Sequence, residues 1–237
     1  MRIAVIGNGR MGRMIESVCA QEDVQLAGFV GPQSYAHLDD MKEIDAVVDF
    51  SYPGNLNMIL ESAVRRKLPL VIGTTGLTVE QSDAICAASD FIPIVRASNF
   101  SAGVTVLIRL ARMTSQMLRE FDIEIAEIHH NQKEDAPSGT AQMLLSAVDP
   151  EGACAVVNGR KGRTGKRGRE IGVHALRGGT AAGEHSVYFL GPMEEIELRH
   201  RADSREIFAR GALQAVRFAV HARPGLYDME DVLFGGK

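Results

Sequence analysis

Short apolar runs alternate with helical patterns through roughly the first hundred residues, and that alternation predicts a parallel sheet flanked by helices. RIAVIG reads as a buried strand, followed by VQLAGFV, DAVVDFS, LPLVIGTTG and FIPIVRASN. Between the third and fourth runs, Leu56, Ile59, Leu60, Ala63 and Val64 recur at i, i+3, i+4, i+7 and i+8, so one face of a helix can pack on the sheet. Thr78 and Gln81 have capping-box spacing ahead of a further helix.

A long helical pattern runs from about Ala102 to Phe121, and beyond it the texture changes. DIEIAEIHH, REIGVHALRGG, EHSVYFLG and EEIELRHRA read as strands with glycine-rich connections, and one helix starts near Ser138. Strands without intervening helices predict a mixed, mostly antiparallel sheet. Asp203 or Ser204 can cap a last helix that runs to about Ala222 on Ile207, Phe208, Ala212, Leu213, Val216 and Val220. The expected fold is α/β: a parallel-sheet domain over residues 1–101, completed by 205–237, and a second α+β domain over 102–204.

Composition keeps this picture and removes others. The 237 residues are 45% hydrophobic and 24% charged, as in an ordinary globular protein able to bury a core. No apolar run approaches the roughly 18 residues of a membrane span, and the start turns glycine-rich too early for a signal peptide, so the cytoplasm is expected. Three scattered cysteines, Cys19, Cys86 and Cys154, fit neither a disulfide framework nor a Cys-x-x-Cys metal site. A net charge of −4 gives no reason to expect nucleic acid, and the basic run GRKGRTGKRGR has no aromatic residue for stacking on bases. That run reads as a solvated loop of the second domain.

Candidate chemistry begins at GNGRMG, Gly7 to Gly12, which is G-x-G-x-x-G directly after a strand and opening a helix. Gly7 suits the tight turn, Gly9 the approach of a pyrophosphate, and Gly12 close helix packing, in the manner of a Rossmann-type dinucleotide fingerprint. The helix N-terminus offers N–H groups and partial positive charge to phosphate. A structural glycine turn is the plain alternative. The acid that commonly binds the adenosine ribose at the end of the second strand is missing, since FVGPQ places Gly31 and Pro32 there. Arg10 and Arg13 either favour a 2′-phosphate or are solvated helix residues, so NADH and NADPH both stay open. DFS, GTTG and ASNFS fall at further strand ends, where ligands of open α/β sheets sit.

The densest chemistry lies in HHNQKEDAPSGT, residues 129 to 140. His129 and His130 are adjacent, so on a strand they point to opposite faces and do not share a metal; no metal site is expected. Histidine and lysine can both relay protons, or one histidine can simply hydrogen-bond in the core. Ser138 can cap a helix whose first-turn N–H groups at Gly139 and Thr140 would receive a carboxylate, with Lys133 or His130 balancing charge. A well-capped helix with no ligand is the commoner use of such a sequence.

EIHHNQKEDAPSGTA closely resembles the signature of the dihydrodipicolinate reductases (4-hydroxy-tetrahydrodipicolinate reductases) of diaminopimelate and lysine biosynthesis. The likeness extends through GNGRMGR, DFS, GTTG, ASNFSAGV, IGVHALRGGTAAGEHSVYF, IELRHRADSREIFARGAL and GLYDMEDVL. It implies a homotetramer whose first domain binds NADH or NADPH and whose second binds a cyclic dicarboxylate and packs between subunits. By matching positions, His129 would be the acid/base residue and Lys133 the proton donor, with His130, Ser138, Gly139 and Thr140 at the substrate. The cofactor would touch Gly7, Asn8, Gly9, Arg10, Met11, Gly12, Gly73, Thr74, Thr75, Ala97, Ser98, Asn99 and Phe100. Another two-domain nicotinamide-dependent dehydrogenase would keep the glycine loop without needing the full HHNQKEDAPSGT set, and an NAD(P)-sensing protein would not need His129 and Lys133.

Overall fold

In chain order the first elements are β1 (Arg2–Ile6), α1 (Arg10–Cys19), β2 (Gln25–Val30), α2 (Ala36–Asp40), β3 (Ala46–Asp49), α3 (Leu56–Arg66), β4 (Leu70–Ile72), α4 (Val79–Ser89) and β5 (Pro93–Arg96). Next come α5 (Ala102–Met117), β6 (Asp122–His129), α6 (Gly139–Val148), β7 (Ala155–Val157), β8 (Glu170–Arg177), β9 (Gly183–Leu190) and β10 (Glu195–Ala202). The chain closes with α7 (Glu206–His221), β11 (Gly225–Tyr227) and α8 (Met229–Phe234). The structure is a computed structural model that describes residues 1–31 and 36–235, without the side chains of residues 36 and 37. Pro32, expected beside Gly31 at the end of the second strand, lies outside the described residues. Two compact units result: Met1–Ala102 with Glu206–Lys237, and Gly103–Arg205.

The first unit holds a six-stranded sheet in the order β11-β5-β4-β3-β1-β2, and every ladder in it is parallel. Alternation along β1 explains its two cores. Ile3 and Val5 join Val48, Val71 and Val95 on the face covered by α1 and by Ala209, Ala212, Leu213 and Val216 of α7. Ala4 and Ile6 point the other way, to Leu56, Ile59, Leu60 and Ala63 of α3 and Ile85 of α4. Each such large side chain contributes about 1.5–3 kcal/mol by leaving water. The α3 face is therefore the one its spacing predicts, and the C-terminal segment packs α7 beside α1 on the opposite face.

The second unit has a five-stranded mixed sheet, β10-β9-β6-β8-β7. The β9–β10 and β6–β9 ladders are antiparallel and run nearly the full strand lengths; β6–β8 and the short β7–β8 are parallel. Ile125, Val173, Val187 and Phe189 point to one face and pack with Val104, Leu107 and Ile108 of α5 and Leu144 of α6. Glu124, His174 and Ser186 point to the other.

The structure differs from the sequence expectation at the end of α5 and in two short strands. The helix predicted to Phe121 stops at Met117, where the Thr114 and Ser115 hydroxyls donate back to the carbonyls of Leu110 and Arg112, a local bond that competes with helix continuation. The three-residue strands β7 and β11 were not predicted, being too short to show a period. Thr78 forms its capping box with Gln81 as the spacing requires. Among the described residues, no helix is long and apolar enough to cross a membrane.

Candidate active site

In the first unit the glycine loop has the form that a dinucleotide needs. Gly7 turns the chain at φ +96°, and a Cβ on Gly12 would lie 2.1 Å from the Gly7 carbonyl oxygen, so α1 approaches β1 through hydrogen alone. A Cβ on Gly9 would meet nothing within 4 Å, which leaves that side open to a phosphate. No side chain caps α1 and no acid occupies its first turn, so its N–H dipoles are not neutralised from within. Asn8, Gly9 and Arg10 are exposed, Met11 is half-buried and Gly12 buried.

The other expected cofactor residues follow neighbouring strands. Gly73, Thr74 and Thr75 lie beyond β4, and Ala97, Ser98, Asn99 and Phe100 beyond β5, at the carboxyl edge where ligands of such sheets sit. Buried Asp49 ends β3 and accepts from the Ser51 N–H (3.1 Å) and hydroxyl (2.5 Å); the same N–H reaches Thr74 Oγ1 at 2.9 Å. Burial pushes the Asp49 carboxyl up, against the hydrogen bonds of Ser51 and Thr74. The Phe50 ring stands 5.4 Å from that of Phe100, and Asn99 Oδ1 accepts from the Ser101 N–H at 2.8 Å. Arg13 lies over the Phe29 ring at 4.9 Å and pairs with Glu16 at 3.0 Å, which fixes a guanidinium near the end of β2. These residues fit a dinucleotide: a close-packed turn, an open glycine and an uncapped helix.

In the second unit the period of β6 puts Glu127 and His129 on one face. Glu127 is wholly buried, and its carboxylate accepts from four donors. Arg177 Nη1 and Nη2 reach it at 2.9 Å each, the Ser138 N–H at 3.0 Å, and His129 Nδ1–H completes the set. Burial raises this carboxyl and those donors more than offset it, so it stays below the ordinary carboxylate range. Burial lowers His129, and Glu127 restores only part. His185 stands edge-on to His129 at 5.1 Å, pairs with the Ser138 hydroxyl at 3.1 Å, and is pushed down to about 4 by burial and then by the neighbouring His129.

Beyond β6 the chain turns, and Lys133 Nζ donates to both oxygens of Asp135 at 2.7 and 2.9 Å. His130 Nε2 lies 2.8 Å from Arg205 Nη2 and its Nδ1 3.2 Å from the Gln132 N–H; both partners are donors, so a neutral ring accepts from one of them at a time. Ser138 is buried and caps α6 by accepting from the Ala141 N–H at 3.2 Å, so its side chain is turned inward. Gly139 is exposed and Thr140 half-buried at the first turn of that helix. Glu127, His129 and His185 offer ligand atoms within 4.8 Å of one another, a juxtaposition that sequence spacing does not reveal. Both Glu127 oxygens already face the Arg177 guanidinium, so a cation there would meet a positive charge.

Two family models divide the chain where it divides in space: dihydrodipicolinate reductase, N-terminus, matches residues 1–100, and dihydrodipicolinate reductase, C-terminus, matches residues 103–233. The chain belongs to the dihydrodipicolinate reductase family. It is 43% identical to the 4-hydroxy-tetrahydrodipicolinate reductase of Caldanaerobacter subterraneus subsp. tengcongensis over 251 residues, covering 100% of this chain and 99% of that one. The enzyme of the same name from Alkaliphilus oremlandii is 41% identical, with 95% of each chain covered. A dipicolinate-bound dihydrodipicolinate reductase from Paenisporosarcina sp. TG-14 superposes with a TM-score of 0.81 over 99% of both chains; at 21% identity this likeness speaks for the fold.

Within this member of the dihydrodipicolinate reductase family, the sequence pattern did not point to Glu127, Arg177, His185 or Arg205. Period two along β6 would have found Glu127. Arg177 and His185 need register, because Arg177 is the partner of His129 across β6–β8 and His185 that of Glu127 across β6–β9. The basic run is exposed at every position but Arg167, as a solvated loop is, and two of its arginines are paired. Arg160 binds Glu124 (3.1 and 2.8 Å) and Glu170 (2.7 Å), while Arg167 reaches Asp122 at 2.8 Å and the Glu170 carbonyl at 2.6 Å.

Proposed function

We propose that the protein reduces 4-hydroxy-tetrahydrodipicolinate to tetrahydrodipicolinate with NADH or NADPH, in lysine and diaminopimelate biosynthesis. The observation that carries this is the succession, at the end of β6 and in the segment that follows it, of a carboxylate-oriented His129, His130 paired with the distant Arg205, Lys133, and the start of α6. A cyclic dicarboxylate brings two negative charges. The first-turn N–H groups of Gly139 and Thr140, with Arg205 and Lys133, supply the complementary ones, and His130 orients Arg205. Ser138 shapes that helix end from within. Loss of water from the substrate leaves a conjugated imine, to which a hydride and a proton add. When bound beside Gly7 to Gly12, Gly73 to Thr75 and Ala97 to Phe100, the nicotinamide supplies the hydride. Lys133 Nζ supplies the proton once a substrate carboxylate competes with Asp135 for it, and His129 exchanges protons through Nε2.

The same proposal includes a cytoplasmic homotetramer, supported by membership of the family. The test follows nicotinamide absorbance with NADH and NADPH in parallel, while the preceding synthase makes substrate from pyruvate and aspartate semialdehyde. Oxidation that depends on the synthase is expected, and Lys133→Ala should abolish it while dinucleotide still binds. Folded protein that binds a dinucleotide but never oxidises it under these conditions overturns the assignment.

A further inference from the structure

We propose that Glu127 is the positioning residue of this site: one buried carboxylate sets both the tautomer and aim of His129 and the start of the helix that receives the substrate's carboxylate. An ion pair serving stability alone would need only Arg177. Here Arg177 fills one acceptor position on each oxygen, at 2.9 Å, and the two remaining positions go to groups of the site itself. His129 Nδ1–H takes Oε2, and the Ser138 N–H takes Oε1 at 3.0 Å. No polar atom of Glu127 is left without a partner.

Three consequences follow from this geometry. With Nδ1 holding a proton against a carboxylate, Nε2 is the imidazole atom left to exchange one. The N-cap residue of α6 is anchored by its own backbone N–H as well as by the hydroxyl that bonds Ala141, so the first turn cannot drift. Arg177 Nη2 also donates to the Asp135 carbonyl at 2.7 Å, which ties the partner of Lys133 to the same cluster. Glu127 thus acts through other residues and lies too deep to touch substrate.

The charged and titratable groups around the imidazole are Glu127 on its own strand, Arg177 on β8, His185 on β9 and Lys133 in the following segment; His200 of β10 stands next to His185. Of these, Glu127 is the anion that raises His129, against burial and the cations. In Glu127→Gln, therefore, His129 should titrate at lower pH, and its two neutral tautomers should mix, both read by nitrogen-15 NMR of the ring. In the coupled assay kcat should fall by about a hundredfold or more, with the KM for the dinucleotide within about twofold of wild type.

Glu127→Gln leaves Arg177 without its partner, so the double variant Glu127→Gln, Arg177→Met is measured beside it; with both charges gone it should fold and be as slow as the single variant. Wild-type tautomer and titration in the variants, or a kcat within about threefold of wild type in either, overturns the role. Because this role deepens the reductase function proposed above, the two failures must be separable. Wild-type protein that turns over no substrate would remove that function, whereas the NMR readout tests the orientation of His129 regardless.

Discussion

Replacing Arg177 with methionine keeps most of the side-chain volume and removes both guanidinium bonds from a carboxylate that is 0% exposed. The wild-type carboxyl is held below its ordinary range, so its stabilisation is complete above the unfolded-state pKa of about 4.3 and is lost only as pH falls through the folded value. In the variant the sign reverses. Burial then dominates and raises the carboxyl above the unfolded value, so stability falls as pH rises. Leaving a buried charge unpaired costs about 3–5 kcal/mol, but Glu127 can escape by taking a proton. At pH 7 that proton costs about 1.36 kcal/mol for each of roughly 2.7 pH units, or about 3.7 kcal/mol, against about 1 kcal/mol at pH 5. The difference in stability between wild type and Arg177→Met should therefore grow by about 2.7 kcal/mol from pH 5 to pH 7. Urea unfolding followed by circular dichroism at both pH values measures it. A difference that changes by less than about 1 kcal/mol would show that Glu127 is not the buried charge this reasoning makes it.

Three further outcomes are expected. His185, pushed down to about 4 chiefly by burial, stays neutral in the folded chain while the unfolded chain protonates near 6.5; its contribution is present above that pH and is lost on acidification, by about 3 kcal/mol at pH 4. His185→Gln should flatten the fall of stability between pH 6.5 and 4.5, and an unchanged slope would count against the buried neutral ring. Gly12→Ala puts a methyl 2.1 Å from the Gly7 carbonyl oxygen and should weaken NADPH binding by about tenfold or more in a fluorescence titration, whereas undiminished affinity would detach the loop from the dinucleotide. Thr78→Ala removes the capping box of α4 and should cost about 1 kcal/mol of stability with turnover intact, because the hydrogen bonds of Thr78 run to Gln81 and Ser82 of that helix.

Several features were legible without coordinates because their physics is local. A buried parallel strand announces itself by a short apolar run, so β1 to β5 fell where the sequence predicts them. The i, i+3, i+4 spacing in α3 and the Thr78 and Ser138 caps are set within a few residues of chain. The same holds for the glycine loop, whose tight turn and uncapped helix are consequences of adjacent residues, and for the crowding of His129, His130 and Lys133 before Ser138. Arg13 was an open choice between a phosphate ligand and a solvated side chain, because its stacking on Phe29 joins residues from α1 and β2.

Other features depended on pairing between distant segments. The C-terminal residues pack as α7 beside α1 on one face of the first sheet and pair as β11 with β5 at its edge, contacts made with distant segments of the chain. Glu127 is a plain acidic residue in a strand until β8 brings Arg177 beside His129 and β9 brings His185 beside Glu127. Sequence alone pointed to most of the elements, to the glycine loop and to the residues proposed to handle protons. Tertiary structure decided how those residues are held, because a buried carboxylate takes its charge state from partners about fifty residues away, and strand register, which no local pattern encodes, selects those partners.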